Sequence, residues 1–163
     1  MSKINIFCFG FGQVAEGFIN KLIQEKKDFD LSITSRQETH QIELNNLKIT
    51  SYHFTNDKFD SSIDKKLKEA NYILISIPPI EGKDIVAKYF DKNLQGITNC
   101  KWITYLSATS VYGDHKGEWV NENSTTKPTS PNGSSRLAAE NIWKKISNKH
   151  KYPLQIFRLA GIY

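Results

Sequence analysis

Apolar residues along this chain follow two spacings, and the alternation between them predicts strands separated by helices. Continuous apolar runs at residues 3–9 and 72–77 are typical of strands buried on both faces of a parallel sheet. Further strands are predicted at 31–35, 47–54, 102–106 and 154–159. Apolar positions spaced three or four residues apart predict helices over 14–23, 61–70, 82–95 and 134–149.

Two segments follow neither spacing. Residues 36–46 are polar and predict a loop or a short helix, while residues 113–133, rich in Gly, Pro, Ser, Thr and Asn, predict a long loop of the kind that often has a function. Because strands alternate with helices, we expect one α/β domain over residues 1–163. Its architecture should be a doubly wound parallel sheet of about six strands with helices on both faces.

A glycine-rich turn follows the first predicted strand directly, with the pattern G-x-G-x-x-A over residues 10–15. Gly10 permits the tight turn, Gly12 lets the backbone approach phosphates, and the small Ala15 lets the helix pack closely on its strand. The free amides and the dipole of the helix N-terminus favour an anion. We therefore expect a dinucleotide site, with a tight turn that binds no ligand as the alternative. The expected contacts of this turn are Gly10, Phe11, Gly12, Gln13 and Val14.

The end of the second predicted strand indicates which dinucleotide is bound. In such sheets an acidic residue there bonds the 2′-hydroxyl of NAD, whereas an arginine suits the 2′-phosphate of NADP. This chain has Ser35 and Arg36 at that place and no acidic residue before Glu38. A hydroxyl can donate to phosphate and a guanidinium can pair with it bidentately, so NADP is favoured over NAD. A solvated Arg36 at a strand end is the alternative interpretation.

The composition narrows the ligand class and the compartment. A net charge of +5 with a pI of about 9.1 fits a protein that holds phosphate-bearing ligands. The lysine clusters at 65–68 and 144–151 lie on predicted helices, which favours solvated faces over a nucleic-acid surface. Cys8 and Cys100, without a secretory signal, indicate a reducing compartment. We expect a cytoplasmic protein with no membrane span and no bound metal.

The segment Leu106-Ser107-Ala108-Thr109-Ser110-Val111-Tyr112-Gly113-Asp114 follows the fifth predicted strand. It resembles the S-S-x-x-V-Y-G stretch of the extended short-chain dehydrogenases/reductases, the superfamily of nucleotide-sugar epimerases and dehydratases. Four other segments resemble an atypical, epimerase-like branch of that superfamily. Residues 75–84 resemble its fourth strand and residues 117–131 its active-site loop. Residues 136–140 resemble the start of its next helix and residues 157–163 its sixth strand.

This resemblance implies the N-terminal Rossmann part of an NAD(P)-dependent protein whose substrate is a nucleotide sugar or another carbonyl compound. It also implies that Ile77 and Pro78 contact the cofactor and that Ser107 and Thr109 lie on its nicotinamide side. Members of the family continue into a C-terminal substrate-binding region that is absent from these 163 residues. A natural half-protein, a second chain that supplies the rest and a truncated product are the three explanations.

Family members use a Ser or Thr, a Tyr and a Lys for catalysis, and all three positions differ in this chain. Ala108 stands at the Ser/Thr position, Asn132 at the Tyr position and Arg136 at the Lys position. Asparagine cannot exchange a proton near neutral pH, whereas arginine stays charged and can still hold a ribose or phosphate. Packing is the alternative role for Tyr112, and solvent exposure for His115. The candidate replacement groups are Ser107, Thr109, Ser110, Tyr112, His115 and Arg136.

Two functions from different classes remain open at this point. One is an oxidoreductase or epimerase-like enzyme with an unconventional proton donor, and the other is a non-catalytic dinucleotide-binding module. The helices at 82–95 and 134–149 correspond to those that form a dimer interface in the family, so a homodimer is expected. Tyr89, Phe90 and Trp143 could be buried in that interface or could pack on their own sheet.

Overall fold

The computed structural model describes residues 3–93 and 96–161, which form one seven-stranded sheet flanked by four helices. Residues 94 and 95 of the third predicted helix, and Ile162 and Tyr163 of the last motif, lie outside the described residues. In chain order the elements are β1 (Ile4–Phe9), α1 (Gln13–Gln24), β2 (Phe29–Ser35), β3 (His40–Leu44), β4 (Leu47–His53), α2 (Ser62–Glu69), β5 (Tyr72–Ile75), α3 (Ile85–Asn93), β6 (Trp102–Ala108), a 3₁₀ turn (Thr109–Val111), α4 (Pro131–His150) and β7 (Leu154–Leu159).

The strand order is β3-β4-β2-β1-β5-β6-β7, and every neighbouring pair is parallel except β3 with β4. Cys8 in the central β1 is the register partner of both Ile33 in β2 and Leu74 in β5. The chain builds outward from β1 to one edge and then from β5 to the other. This confirms the predicted doubly wound parallel sheet. Ligands of such sheets bind beyond the carboxyl ends of the strands at the switch point, here between β1 and β5.

Alternate side chains of the strands enter two apolar layers, one on each face of the sheet. On the first face, Ala15 and Ile19 of α1 are completely buried against a layer that includes Cys8. On the second face, α2, α3 and α4 pack together on a layer that includes Phe9 and Ile73. The helices therefore cover both faces, as predicted. In the described ranges, no helix is long and apolar enough to cross a membrane.

The prediction of a loop or short helix over 36–46 is wrong, because part of this segment is strand β3. After β2 the chain reverses direction and forms β3. A tight turn at Asn45 and Asn46 then leads into β4, which pairs with β3 as an antiparallel hairpin. Both asparagines have positive φ, 48° and 66°, as the favoured two-residue hairpin turns require. The alternation of Ile42 and Leu44 with polar residues was the signal for a strand. The hairpin accounts for the seventh strand.

Helix α4 begins three residues earlier than predicted. The Ser130 hydroxyl accepts a hydrogen bond from the Gly133 amide at 3.1 Å, and Pro131 occupies the first helical position. Both features are standard start signals, because a serine cap satisfies a free amide and proline needs no partner for its own nitrogen. The predicted loop over 113–133 therefore ends at Ser130, and Asn132 lies in the first turn of the helix.

Three aromatic residues that could have served an interface are buried within the chain itself. Tyr89, Phe90 and Trp143 are 5%, 0% and 1% exposed, so the alternative that they pack on their own sheet is the one observed.

The Asp84 carboxylate joins α3 to α4. One of its oxygens accepts a hydrogen bond from the Ala87 amide at 2.9 Å, and the other accepts from Trp143 Nε1 at 3.0 Å. Burial raises the pKa of this carboxyl, although the two hydrogen bonds oppose the shift.

We predict that Trp143→Phe lowers the free energy of unfolding by about 2 kcal/mol, because it opens a small cavity and leaves a buried carboxylate oxygen without its donor. The matched control is Trp119→Phe, since Trp119 is fully exposed in the loop before α4. That control should change stability by less than about 0.5 kcal/mol. Urea unfolding followed by circular dichroism measures both. Equal effects of the two substitutions would contradict the assignment of Trp143 to the core.

Candidate functional site

A cleft of about 810 Å³ lies at the carboxyl ends of β1, β2 and β5, at the topological switch point. Its walls come from the turn after β1, the end of β2, the β3–β4 hairpin and the segment after β5. No aspartate or glutamate lines it among the described residues. Its side chains are Gly10, Phe11, Gly12, Ile33, Thr34, Ser35, Arg36, Gln37, His40, Ile42, Ser51, Phe54, Thr55, Asn56, Ser76, Ile77, Pro78, Ile80 and Ile85.

The turn after β1 requires glycine at one of its positions and leaves room at the other. Gly10 has φ of +78°, and a Cβ there would lie 2.9 Å from Ile77 Cγ1, so both backbone and packing exclude larger residues. Its amide donates to Thr34 Oγ1 at 2.8 Å, which ties the turn to β2. Gly12 has φ of −89°, and a Cβ there would meet only Ser76 Oγ at 3.6 Å. The fold itself therefore does not demand glycine at position 12.

Gly12 is also the N-cap of α1, and no side chain caps the helix. The first amides of an α-helix have no partner within the helix, so the amides of its first turn stay available for a ligand. Gln13 and Val14 form that first turn. An uncapped helix start beside a glycine whose missing Cβ opens toward the cleft suits the pyrophosphate of a dinucleotide. The residues present therefore fit this group.

The end of β2 presents a hydroxyl and a guanidinium to the cleft. Ser35 Oγ accepts hydrogen bonds from Ser51 Oγ at 3.0 Å and from the Gln37 amide at 3.3 Å, which leaves its own proton free to donate. Arg36 is exposed and has no hydrogen bond or ion pair to any described residue. Glu38 is held outside the cleft by Lys58, whose ammonium lies 2.9 Å from its carboxylate and lowers its pKa.

Seven of the ten predicted cofactor contacts line the cleft, two more follow them directly in α1, and one lies elsewhere. The seven that line the cleft are Gly10, Phe11, Gly12, Ser35, Arg36, Ile77 and Pro78. Gln13 and Val14 adjoin the cleft through the backbone of α1. Ser107 does not line it: this side chain is 2% exposed, and its hydroxyl donates to Glu140 Oε1 at 2.6 Å.

Sequence reasoning missed several polar side chains of this cleft. Thr34 holds the glycine turn, Ser51 orders Ser35, and His40 reaches the cleft from the hairpin strand. Ser76 lies opposite Gly12. The paired asparagines of the hairpin turn could have revealed β3, and with it His40. The contacts of Ser51 had no signal in the sequence, because they depend on strand register.

The positions that match the family's catalytic residues lie at the end of β6 and the start of α4. Arg136 Nη1 donates to the Leu106 carbonyl at 2.5 Å, which brings a positive charge to the end of β6. Asn132 is exposed one helical turn earlier, on the same side of α4. Ala108 is the last residue of β6, and the exposed Thr109 follows it. Asn132 and Arg136 therefore lie on one side of α4, near the end of β6, and the Asn132 amide cannot exchange a proton near neutral pH.

A buried ion pair joins Glu140 of α4 to Arg158 of β7. Glu140 is 0% exposed and accepts from Arg158 Nε at 3.0 Å and Nη2 at 2.8 Å, in addition to Ser107. Burial raises the pKa of Glu140, but the hydrogen bonds from Arg158 and Ser107 outweigh it, so the pKa lies below its ordinary value. The Arg158 guanidinium also lies over the Tyr112 ring, with its Cζ 4.8 Å from the ring centroid. Tyr112 is 7% exposed, which favours a packing role.

The loop between the 3₁₀ turn and α4 packs tightly at its ends. A Cβ at Gly113 would lie 1.8 Å from the Lys127 carbonyl oxygen, and φ there is +74°, so only glycine fits. The Lys127 amide donates to the Tyr112 carbonyl at 3.1 Å, which closes the loop. Between these ends most of the loop is exposed. The His115 ring lies 3.1 Å from the Thr125 carbonyl and contacts the Tyr112 ring.

Comparisons with known proteins agree with the observed fold. No family model matches the chain. A UDP-glucose 4-epimerase of Lacticaseibacillus casei is 32% identical over 125 residues, which cover 69% of this chain and 37% of that protein. The solved structure of a functionally unknown conserved protein from Silicibacter pomeroyi DSS is 28% identical, with a TM-score of 0.75 over 97% of this chain and 52% of that one.

A short-chain dehydrogenase/reductase superfamily protein from Agrobacterium tumefaciens, solved with bound NAD, shares the fold. It has a TM-score of 0.68 at 12% identity and covers 94% of this chain and 48% of that one. Sequence and fold together therefore fit an epimerase-like protein of the short-chain dehydrogenase/reductase type. The chain spans about half, or less, of the length of the relatives it matches.

We predict that Glu140→Gln lowers the stability of the protein by about 3 kcal/mol at neutral pH, because it leaves the mostly buried Arg158 guanidinium without a charged partner. Glu118→Gln, in the exposed loop, is the control. Since the folded pKa of Glu140 is depressed, its stabilisation is present above the unfolded pKa of about 4.3 and is lost as the pH falls through the folded value. Urea unfolding at neutral pH and near pH 3 measures how much the free energy of unfolding falls on acidification. This fall should be smaller for Glu140→Gln than for the control.

Proposed function

We propose that this chain is the cofactor-binding part of an NADP-dependent protein related to the nucleotide-sugar epimerases, dehydratases and reductases. The observation that carries the proposal is the cleft at the switch point, which is lined both by the uncapped start of α1 and by Arg36. The UDP-glucose 4-epimerase relative supports a nucleotide sugar as the substrate class, and the NAD-bound structural neighbour supports a nicotinamide dinucleotide.

The cleft favours NADP over NAD on chemical grounds. A 2′-phosphate needs donors and positive charge, and Ser35 and Arg36 supply one of each. The 2′-hydroxyl of NAD is typically held by a carboxylate, but among the described residues none lines the cleft. Glu38, the nearest candidate in sequence, is paired with Lys58.

When bound, a nicotinamide dinucleotide supplies a hydride donor or acceptor, and the chain's own residues bind and orient it. The α1 amides and Gly12 would hold the pyrophosphate, and Arg136 would hold the nicotinamide ribose from the end of β6. Proton exchange would fall to Thr109 or to a group outside this chain, because Asn132 cannot perform it. Ser107 is committed to Glu140.

The alternative is a non-catalytic dinucleotide-binding module, such as a sensor or a subunit of a complex. It is favoured by Asn132 and Ala108, which remove the acid–base groups while Arg136 and the cleft remain. General acid–base catalysis contributes about 10²- to 10⁴-fold in rate, so a chain without it is a poor enzyme by itself. We also propose a cytoplasmic location, since Cys8 and Cys100 are free thiols.

We predict that the chain binds NADPH more tightly than NADH. Arg36→Ala should weaken NADPH about tenfold or more, because hydrogen bonds to charged groups are strong, and should leave NADH nearly unchanged. Gly12→Val should weaken both nucleotides without lowering the melting temperature, because a Cβ there meets no backbone. Calorimetric titration measures all of these affinities.

Gly17→Val is the matched control for Gly12→Val. It lies in the same helix, and a Cβ at Gly17 meets no atom within 4 Å, so its affinities should equal those of the wild type. If the wild type binds neither nucleotide, the proposal fails. Tight binding without hydride transfer to a panel of nucleotide sugars and carbonyl compounds would favour the non-catalytic module.

We further propose a homodimer through the exposed faces of α3 and α4. A groove of about 710 Å³ lies between these helices, with Ile85 and Ile142 partly exposed in it and four lysines around it. The buried aromatic residues of the two helices would not contact a second copy, because they already pack in the core of their own chain.

We predict that sedimentation velocity at micromolar concentration shows a species of twice 18.7 kDa. Ile142→Asp should shift it to the monomer, because a carboxylate buried in an apolar contact is costly. Lys48→Glu, at an exposed position of β4, should leave the dimer intact because this strand lies on the opposite side of the sheet order from α3 and α4. A single 18.7 kDa species for the wild type would rule the dimer out.

A further inference from the structure

The β3–β4 hairpin replaces a crossover helix and adds a wall to the cleft that the glycine turn alone does not provide. Strand β3 starts at the carboxyl edge of the sheet, so its first residue, His40, faces the same edge as the end of β2. His40 is the second residue in the cleft, after Arg36, that can carry a positive charge among the described residues.

Strand register places His40 in a row with two hydroxyls. His40 is the cross-strand partner of Ser51, and Ser51 is the partner of Ile33 in β2. Cross-strand partners point to the same face, and Ser35, two residues after Ile33, shares that face as well. The row Ser35–Ser51–His40 therefore runs across three strands on the side of the sheet covered by α1.

The hydrogen bonds within this row leave donors directed at the cleft. Ser51 and the Gln37 amide both donate to Ser35 Oγ, so the Ser35 proton is free. His40 Nδ1 lies 2.8 Å from the Glu38 carbonyl, which fixes the ring and leaves Nε2 for a ligand. When both ring nitrogens carry protons, Nε2 donates and the ring is positive.

We propose that the hairpin completes a phosphomonoester subsite in which His40 is a specificity-determining residue beside Arg36 and Ser35. This inference rests on the proposed function, because the phosphomonoester would be the 2′-phosphate of the bound dinucleotide. The subsite has two groups that can carry positive charge, a free hydroxyl proton and no lining carboxylate among the described residues. A dianion suits this set of groups better than a ribose hydroxyl does.

The test uses two fragments that differ only by that phosphate, adenosine 2′,5′-bisphosphate and adenosine 5′-monophosphate, each titrated calorimetrically under the same conditions. His40→Gln should weaken the bisphosphate about tenfold, as expected for a lost charged hydrogen bond, and change the monophosphate less than about twofold. His40→Arg should restore the preference. His115→Gln, in the loop outside the cleft, should have no effect.

The outcomes separate this inference from the function on which it rests. If the wild type binds neither fragment, the dinucleotide site itself fails and the inference with it. If the wild type prefers the bisphosphate but His40→Gln keeps that preference, the inference alone is overturned. Equal weakening of both fragments would also overturn it, because His40 would then support the hairpin rather than the phosphate. Should His40→Gln not fold, His40→Asn is measured in the same way.

Discussion

One buried carboxylate holds the second half of the molecule together. Glu140 of α4 accepts hydrogen bonds from Ser107 at the end of β6 and from Arg158 in β7, and it is completely inaccessible to solvent. Arg158 in turn covers Tyr112 and lies 3.5 Å from the Glu122 carbonyl in the long loop. A buried charge has to be paired and hydrogen-bonded, so the positions of two strands, a helix and a loop all depend on this contact.

The cleft at the switch point depends on different contacts. Its shape comes from Gly10, whose backbone and close contact with Ile77 admit no side chain, and from the bond between the Gly10 amide and Thr34. The cleft is rich in donors, whereas the positions at β6 and α4 keep a positive charge in Arg136 without a proton-exchanging partner. The two regions therefore differ in chemistry: the cleft presents donors that suit an anion, whereas Asn132 and Ala108 cannot exchange a proton near neutral pH.

Local patterns predicted most of the fold, because strand and helix periodicity depends on near neighbours. The misassigned segment was the hairpin, where the polar character of residues 36–46 hid an alternating strand that ends in two asparagines with positive φ. The start of α4 was misplaced by three residues because the Ser130–Pro131 signal lay inside a stretch rich in loop residues. In both cases the turn chemistry was in the sequence, but composition was a poorer guide than the specific residues.

The sequence by itself determined the doubly wound sheet, the glycine turn and the placement of Ser35 and Arg36 at the end of β2, since each follows from residues close together in the chain. Tertiary structure alone decided which polar side chains meet. It paired Ser107 with Glu140 across 33 positions and brought His40 beside Ser51 by strand register. The physical reason is that such contacts depend on register and on which helix covers which face, and neither has a local signal.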